Sequence, residues 1–174
     1  MDRPEPIRIV KRVDWRLPGR RQIATQSGRT RSARAQDVRI DDPTQPAAAH
    51  LLVAEDDPDM RRFLVQSFEE EGYRVTAAQD GDELRRRLAE EGHAEGTSAP
   101  DILVSDIRLP GCSGLDLLAE LRRSDWSLPV ILITGFGDEE VHYEGERLGA
   151  AMVFDKPFDI DDLVNAVKTL VPAN

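Results

Sequence analysis

From residue 51 onward the chain alternates between short apolar runs and longer stretches in which apolar positions recur every three to four residues. Residues 51–54 and the run Ile102, Leu103, Val104 are apolar without a polar alternation, which predicts strands buried on both faces, as in a parallel sheet. Strands are expected likewise over 73–78, 101–105, 129–133 and 151–154. Between the first two, Asp57, Pro58 and Asp59 match an N-cap, a first-turn proline and a first-turn acid. The helix they open carries Met60, Phe63, Leu64 and Phe68 as one apolar stripe and stops at Gly72. A second helix is expected over 82–91 with Leu84 and Leu88 inward, followed by a loop over 92–100. Leu115, Leu118 and Leu121 mark a third helix, residues 138–148 a polar and weakly amphipathic fourth. Ile160, Leu163, Val164, Val167 and Leu170 form one face of a fifth. Five repeats of strand then helix predict an α/β fold, a doubly wound five-stranded parallel sheet with five helices.

Charge adds a boundary. The 174 residues carry a net charge of −10, but residues 1–48 hold 11 basic and 6 acidic side chains (+5), which leaves 12 basic and 27 acidic (−15) for residues 49–174. The chain therefore divides into a basic extension with linker, 1–48, and a folded domain, 49–174. Ten of the 11 basic residues of the extension are Arg, and its one strand-like stretch, 7–17, has no evident partner, so the region is expected to be mostly disordered. It reads as an arm for nucleic acid or an acidic partner, as a solvated tail, or as an upstream stretch mis-included by the choice of start codon. Six acids count against an organelle transit peptide. Cys112 is the single cysteine, which excludes an internal disulfide and fits a reducing compartment. No apolar run approaches the roughly 20 residues of a membrane span, so the protein is read as soluble and cytoplasmic, without a membrane partner.

Candidate chemistry collects at the carboxyl ends of the strands. In the flavodoxin-like order 2-1-3-4-5, the first and third strands are neighbours beside the switch point where such sheets bind ligands. Glu55, Asp56 and Asp57 leave the first strand there, and Asp106 leaves the third. Converging carboxylates repel one another unless a cation joins them, and hard oxygen ligands at a surface cleft suit Mg²⁺. Thr134 ends the fourth strand before Gly135, and Lys156 ends the fifth before Pro157. A hydroxyl, an ammonium and a metal can together hold a tetrahedral oxyanion attached to Asp106. Taken singly, the acidic run is a helix cap with a solvated face, Thr134 a hydroxyl bonded to its own backbone, and Lys156 a surface lysine. Their joint position at four strand ends is what points to one site.

The segments LLVAEDDPDMRR, DILVSDIRLPGCSG, ILITGFGD and DKPFD, in that order, resemble the receiver domain of two-component response regulators over about residues 50–174. The resemblance implies that Asp106 accepts a phosphoryl group from a phosphohistidine, presented by a sensor histidine kinase or a histidine phosphotransfer protein. It implies that Asp56 binds Mg²⁺ directly, that Glu55 contributes, often through water, and that the backbone carbonyl of Arg108 completes the metal site with Asp106. Thr134 and Lys156 would contact the phosphoryl oxygens, and the Lys156–Pro157 peptide bond would be cis. The chemistry implied is phosphoryl transfer to a carboxylate, with self-dephosphorylation but no turnover of a substrate. Two departures stand out. Family members usually carry an aromatic residue three positions before the lysine, where this chain has Val153 and then Phe154, and the loop over 90–100 is longer than is typical. The switch is therefore expected to run through residues 134–138 and the polar fourth helix. The resemblance leaves room for a phosphorylation-dependent homodimer and names no downstream target. Because residue 174 follows soon after the fifth helix, a stand-alone phosphoacceptor is expected. Two rivals are a DNA-binding regulator using the basic arm, for which residues 1–48 show no helix-turn-helix pattern, and an Mg²⁺-dependent phosphohydrolase. Phosphohydrolases resembling the haloacid dehalogenase group carry a second acid two residues after the nucleophile, and here that position is Arg108.

Overall fold

The computed structural model describes residues 48–92, 99–135 and 139–173. The extension reading of residues 1–48 falls almost wholly outside these, as do residues 93–98 of the long loop and 136–138 of the expected switch segment. Ten elements alternate strictly: β1 (His50–Ala54), α1 (Pro58–Glu70), β2 (Arg74–Ala78), α2 (Gly81–Gly92), β3 (Ile102–Asp106), α3 (Gly114–Arg123), β4 (Val130–Thr134), α4 (Glu139–Leu148), β5 (Met152–Asp155) and α5 (Ile160–Leu170). All strand pairings are parallel, in the order β2-β1-β3-β4-β5. The expected fold is borne out, with strand ends shifted by a residue or so.

The absence of alternation in the strands has its cause here, since every residue of β1, β3 and β4 is buried. Leu51, Val53, Ile102, Val104, Ile131, Ile133 and Phe154 pack with Leu64 and Phe68 of α1 and with the apolar face of α5. Leu52, Leu103, Val130, Leu132 and Val153 pack on the opposite face with Leu84, Leu88, Leu117, Leu118 and Leu121 of α2 and α3. Asp57 caps α1 as expected, its Oδ1 accepting from the N–H groups of Asp59 (3.0 Å) and Met60 (2.7 Å).

Two helical assignments need correction. Phe63 is 48% exposed and lies outside the α1 stripe, whereas Phe68 is fully buried. At 3.6 residues per turn, Phe63 sits about 120° around the helix from the midpoint of Leu64 and Phe68, too far to share their face. In α3, Leu117 is buried and Leu115 only partly so.

The other end of the sheet is tied down by Arg122, whose half-buried guanidinium donates to the carbonyls of Trp126 (2.9 Å), Leu128 (3.0 Å) and Gly149 (2.9 Å). These bonds join the approaches to β4 and β5 to the C-terminus of α4. The N-terminal half of α4 is held instead by His142, whose Nε2 lies 2.9 Å from Asp155 Oδ1 at the end of β5.

Candidate functional site

Register places the expected residues side by side. Ala54 pairs with Ser105, Asp106 with Ile133, and Thr134 with Asp155, so Glu55, Asp106, Thr134 and Lys156 stand together at the carboxyl edge of the sheet. β1 is flanked by β2 on one side and β3 on the other, which makes this the switch point of the topology. Oxygens of Glu55, Asp56 and Asp106 all lie within 4.8 Å of one another. Glu55 (1% exposed) and Asp106 (6%) are buried, while Asp56 is exposed.

The Lys156 ammonium enters this cluster, donating to Glu55 Oε2 at 2.8 Å and to Asp106 Oδ2 at 2.5 Å. The other oxygen of Asp106, Oδ1, accepts from the backbone N–H of Arg108 at 2.6 Å. Burial pushes the Glu55 carboxyl above its ordinary value, against the pull of the Lys156 ammonium. Burial acts to lower Lys156, but its bonds to Asp106 and Glu55 outweigh that, and the ammonium is held above its ordinary value. Three carboxylates against one ammonium leave two negative charges, the complement of a divalent cation. The donor set, hard and oxygen-only with one exposed member, fits Mg²⁺.

Backbone contacts also hold Asp106 in place. Ser105 donates its hydroxyl to the Asp106 carbonyl (2.9 Å), and a Cβ at Gly114 would come within 2.7 Å of that same oxygen, so α3 can begin here only with glycine. Thr134 is buried, and its carbonyl accepts the Lys156 N–H at 2.7 Å, tying the hydroxyl-bearing and amine-bearing strands together. The Lys156–Pro157 bond is cis. Asp57, part of the acidic run, serves α1 as its cap and is not a member of the cluster. Sequence reasoning missed Arg61, whose Nη1 donates to the carbonyls of Glu55 (2.7 Å) and Asp56 (3.0 Å).

The family model "Response regulator receiver domain" matches residues 51–168. The chain belongs to the response regulator receiver family. The receiver is 36% identical over 123 residues to the response regulator receiver protein CpdR of Brucella abortus, covering 71% of this chain and 97% of that one. It is 37% identical over 122 residues to the C4-dicarboxylate transport transcriptional regulatory protein DctD of Pseudomonas aeruginosa, covering 70% of this chain but 25% of DctD. The chain thus spans about a quarter of that relative's length. Among solved structures it resembles the response regulator protein TrrA of Thermotoga maritima in complex with Mg²⁺ and BeF, with a TM-score of 0.60, 28% identity, and 71% and 99% of the two chains covered. Receivers are phosphoacceptor switch domains of two-component signalling rather than enzymes, which removes the phosphohydrolase reading. They are phosphorylated by histidine kinases or phosphotransfer proteins and bind Mg²⁺ at an acidic pocket. No helix among the described residues is long and apolar enough to cross a membrane.

Proposed function

We propose that Asp106 is the phosphoacceptor, that Glu55, Asp56, Asp106 and the Arg108 carbonyl hold Mg²⁺, and that Thr134 and Lys156 receive the phosphoryl oxygens. The observation that carries this reading is the buried Asp106 carboxylate, gripped on Oδ2 by Lys156 and on Oδ1 by the Arg108 N–H, beside two further carboxylates. A carboxylate oxygen of Asp106 attacks the phosphorus of a phosphohistidine in line. The P–N bond breaks, its electron pair stays on the imidazole nitrogen, and an acyl phosphate forms. Attack of water on that phosphorus breaks the P–O bond and returns the carboxylate and inorganic phosphate. A bound Mg²⁺ would neutralise the charge that three acids and a phosphoryl group bring together. The ammonium of Lys156 and the hydroxyl of Thr134 supply the remaining donors, and the N–H of Arg108 orients the nucleophile. Phosphorylation adds about −1.5 to −2 charges at the sheet edge. The output we infer is a change in protein contacts made by α4 in the cytoplasm, with a downstream protein or a second copy of the chain as partner.

Labelling with acetyl phosphate and Mg²⁺ tests the assignment. Asp106→Asn should abolish incorporation, and undiminished labelling of that variant would refute it.

A further inference from the structure

The loop that carries two of the three acids is held by a cation that touches neither acid's side chain. Arg61, on the first turn of α1, directs Nη1 at the Glu55 and Asp56 carbonyls, at 2.7 and 3.0 Å. Among the described residues it lies within ion-pair distance of no carboxylate, although Asp56 and Glu55 are its neighbours in space. Glu55 is fixed in other ways as well: its N–H donates to the Ala78 carbonyl (3.2 Å), and its carboxylate receives Lys156 and the Asp57 N–H. Asp56 has no such support, since its exposed side chain accepts no hydrogen bond from the described residues. The orientation of the Asp56 peptide, and with it the direction in which the carboxylate leaves the chain, rests on Arg61 and on the start of α1.

We propose that Arg61 is a positioning residue for the divalent-cation site, setting the reach of Asp56 through the backbone. This rests on the receiver reading of the acidic cluster. Mg²⁺ demands near-ideal octahedral geometry at about 2.0–2.1 Å, so a ligand free to wander binds it poorly. Outer partners that orient metal ligands typically contribute about 10- to 100-fold in affinity. A purely electrostatic role gives the opposite sign. Arg61 repels a cation, so removing its charge alone would tighten Mg²⁺ binding, whereas removing a clamp loosens it.

Calorimetric titration of Mg²⁺ into the unphosphorylated full chain, with Arg61→Ala and Arg61→Lys, reads this directly and does not depend on phosphorylation. Arg61→Ala should bind Mg²⁺ about tenfold more weakly. Arg61→Lys, whose ammonium can reach one carbonyl, should fall between alanine and wild type. In phosphorylation by phosphoramidate, the half-saturating Mg²⁺ concentration of Arg61→Ala should rise by the same factor while the rate at saturating Mg²⁺ stays within about twofold of wild type. Unchanged or tighter Mg²⁺ binding by Arg61→Ala overturns the proposal. So does a loss confined to the saturating rate, or one that tracks a lowered unfolding temperature measured without metal. Wild-type protein that binds Mg²⁺ but takes up no phosphate would count against the receiver reading and leave the Arg61 result standing.

Discussion

Val153 of β5 and Gly145 of α4 approach so closely that a Cβ at position 145 would lie 3.0 Å from the valine Cγ2. The smallest residue of the helix thus meets the residue that replaces the usual ring of the family. Phe154 cannot substitute for that ring: a one-residue step along a strand changes face, and Phe154 packs edge-on with Phe158, at 6.2 Å between centroids, in the α1–α5 core.

Energetic coupling between these two positions follows. In an exposed helix Gly→Ala gains about 0.8–1 kcal/mol, but here the added methyl meets Val153. Gly145→Ala should therefore gain little in the wild-type background and more after Val153→Ala, with an interaction energy of about 0.5 kcal/mol or more. Urea unfolding of the four proteins in the cycle measures it, and additive changes would contradict the close packing.

The switch should avoid β5. With valine packed on glycine there is no ring to turn, and α4 buries only Gly145 fully. Amide hydrogen exchange with and without a beryllofluoride phosphoryl mimic should change mainly over Glu139–Leu148. Protection that changes around Val153 while α4 stays constant would show that β5 carries the signal. Asp155→Ala, which removes the partner of His142, should raise exchange in the first half of α4 even without the mimic.

Metal binding should depend steeply on the one exposed acid of the cluster. Asp56→Ala is expected to weaken Mg²⁺ by more than about tenfold and to slow both phosphorylation and hydrolysis, since the cation neutralises charge in both directions. Equal affinity in a titration would remove Asp56 from the metal site.

One pH effect is local to α2 and α3. Arg85 grips Glu120 with both ends of its fork, Nε to Oε2 at 3.0 Å and Nη2 to Oε1 at 2.7 Å, and this bond holds the Glu120 carboxyl below its ordinary value. A carboxyl depressed in the folded state contributes stability above its unfolded pKa and loses it as pH falls through the folded one. Glu120→Gln should therefore cost stability at neutral pH and nothing in acid well below the depressed folded pKa of Glu120. Both groups are more than a third exposed, so the neutral-pH difference should be under about 1 kcal/mol. Denaturant titrations at the two pH values check it, and a pH-independent difference would assign the loss to packing.

Much of this was legible in the chain because strand ends are easy to find. Apolar runs that stop at Glu55, Asp106, Thr134 and Lys156 put four polar side chains on one edge as soon as the sheet order is known. Phe63 misled because spacing of three or four residues is satisfied on either side of a stripe, and only packing decides which side is covered. Arg61 was hidden for another reason: its partners are carbonyls, which every residue has, so nothing in the side-chain pattern marks them. Gly145 did leave a trace, a glycine inside a helical pattern, which signals a near neighbour.

Arg122 gives α4 an unequal mounting. Its bond to the Gly149 carbonyl anchors the end of the helix far from Asp106, through a guanidinium that also grips two carbonyls ahead of β4. The near end is latched to Asp155 by His142, at the rim of the site. A rod hinged at one end and latched at the other swings rather than slides. Displacement should be least at Leu148 and greatest at Glu139, so a partner that reads the first turn of α4 would see the largest movement for a given push.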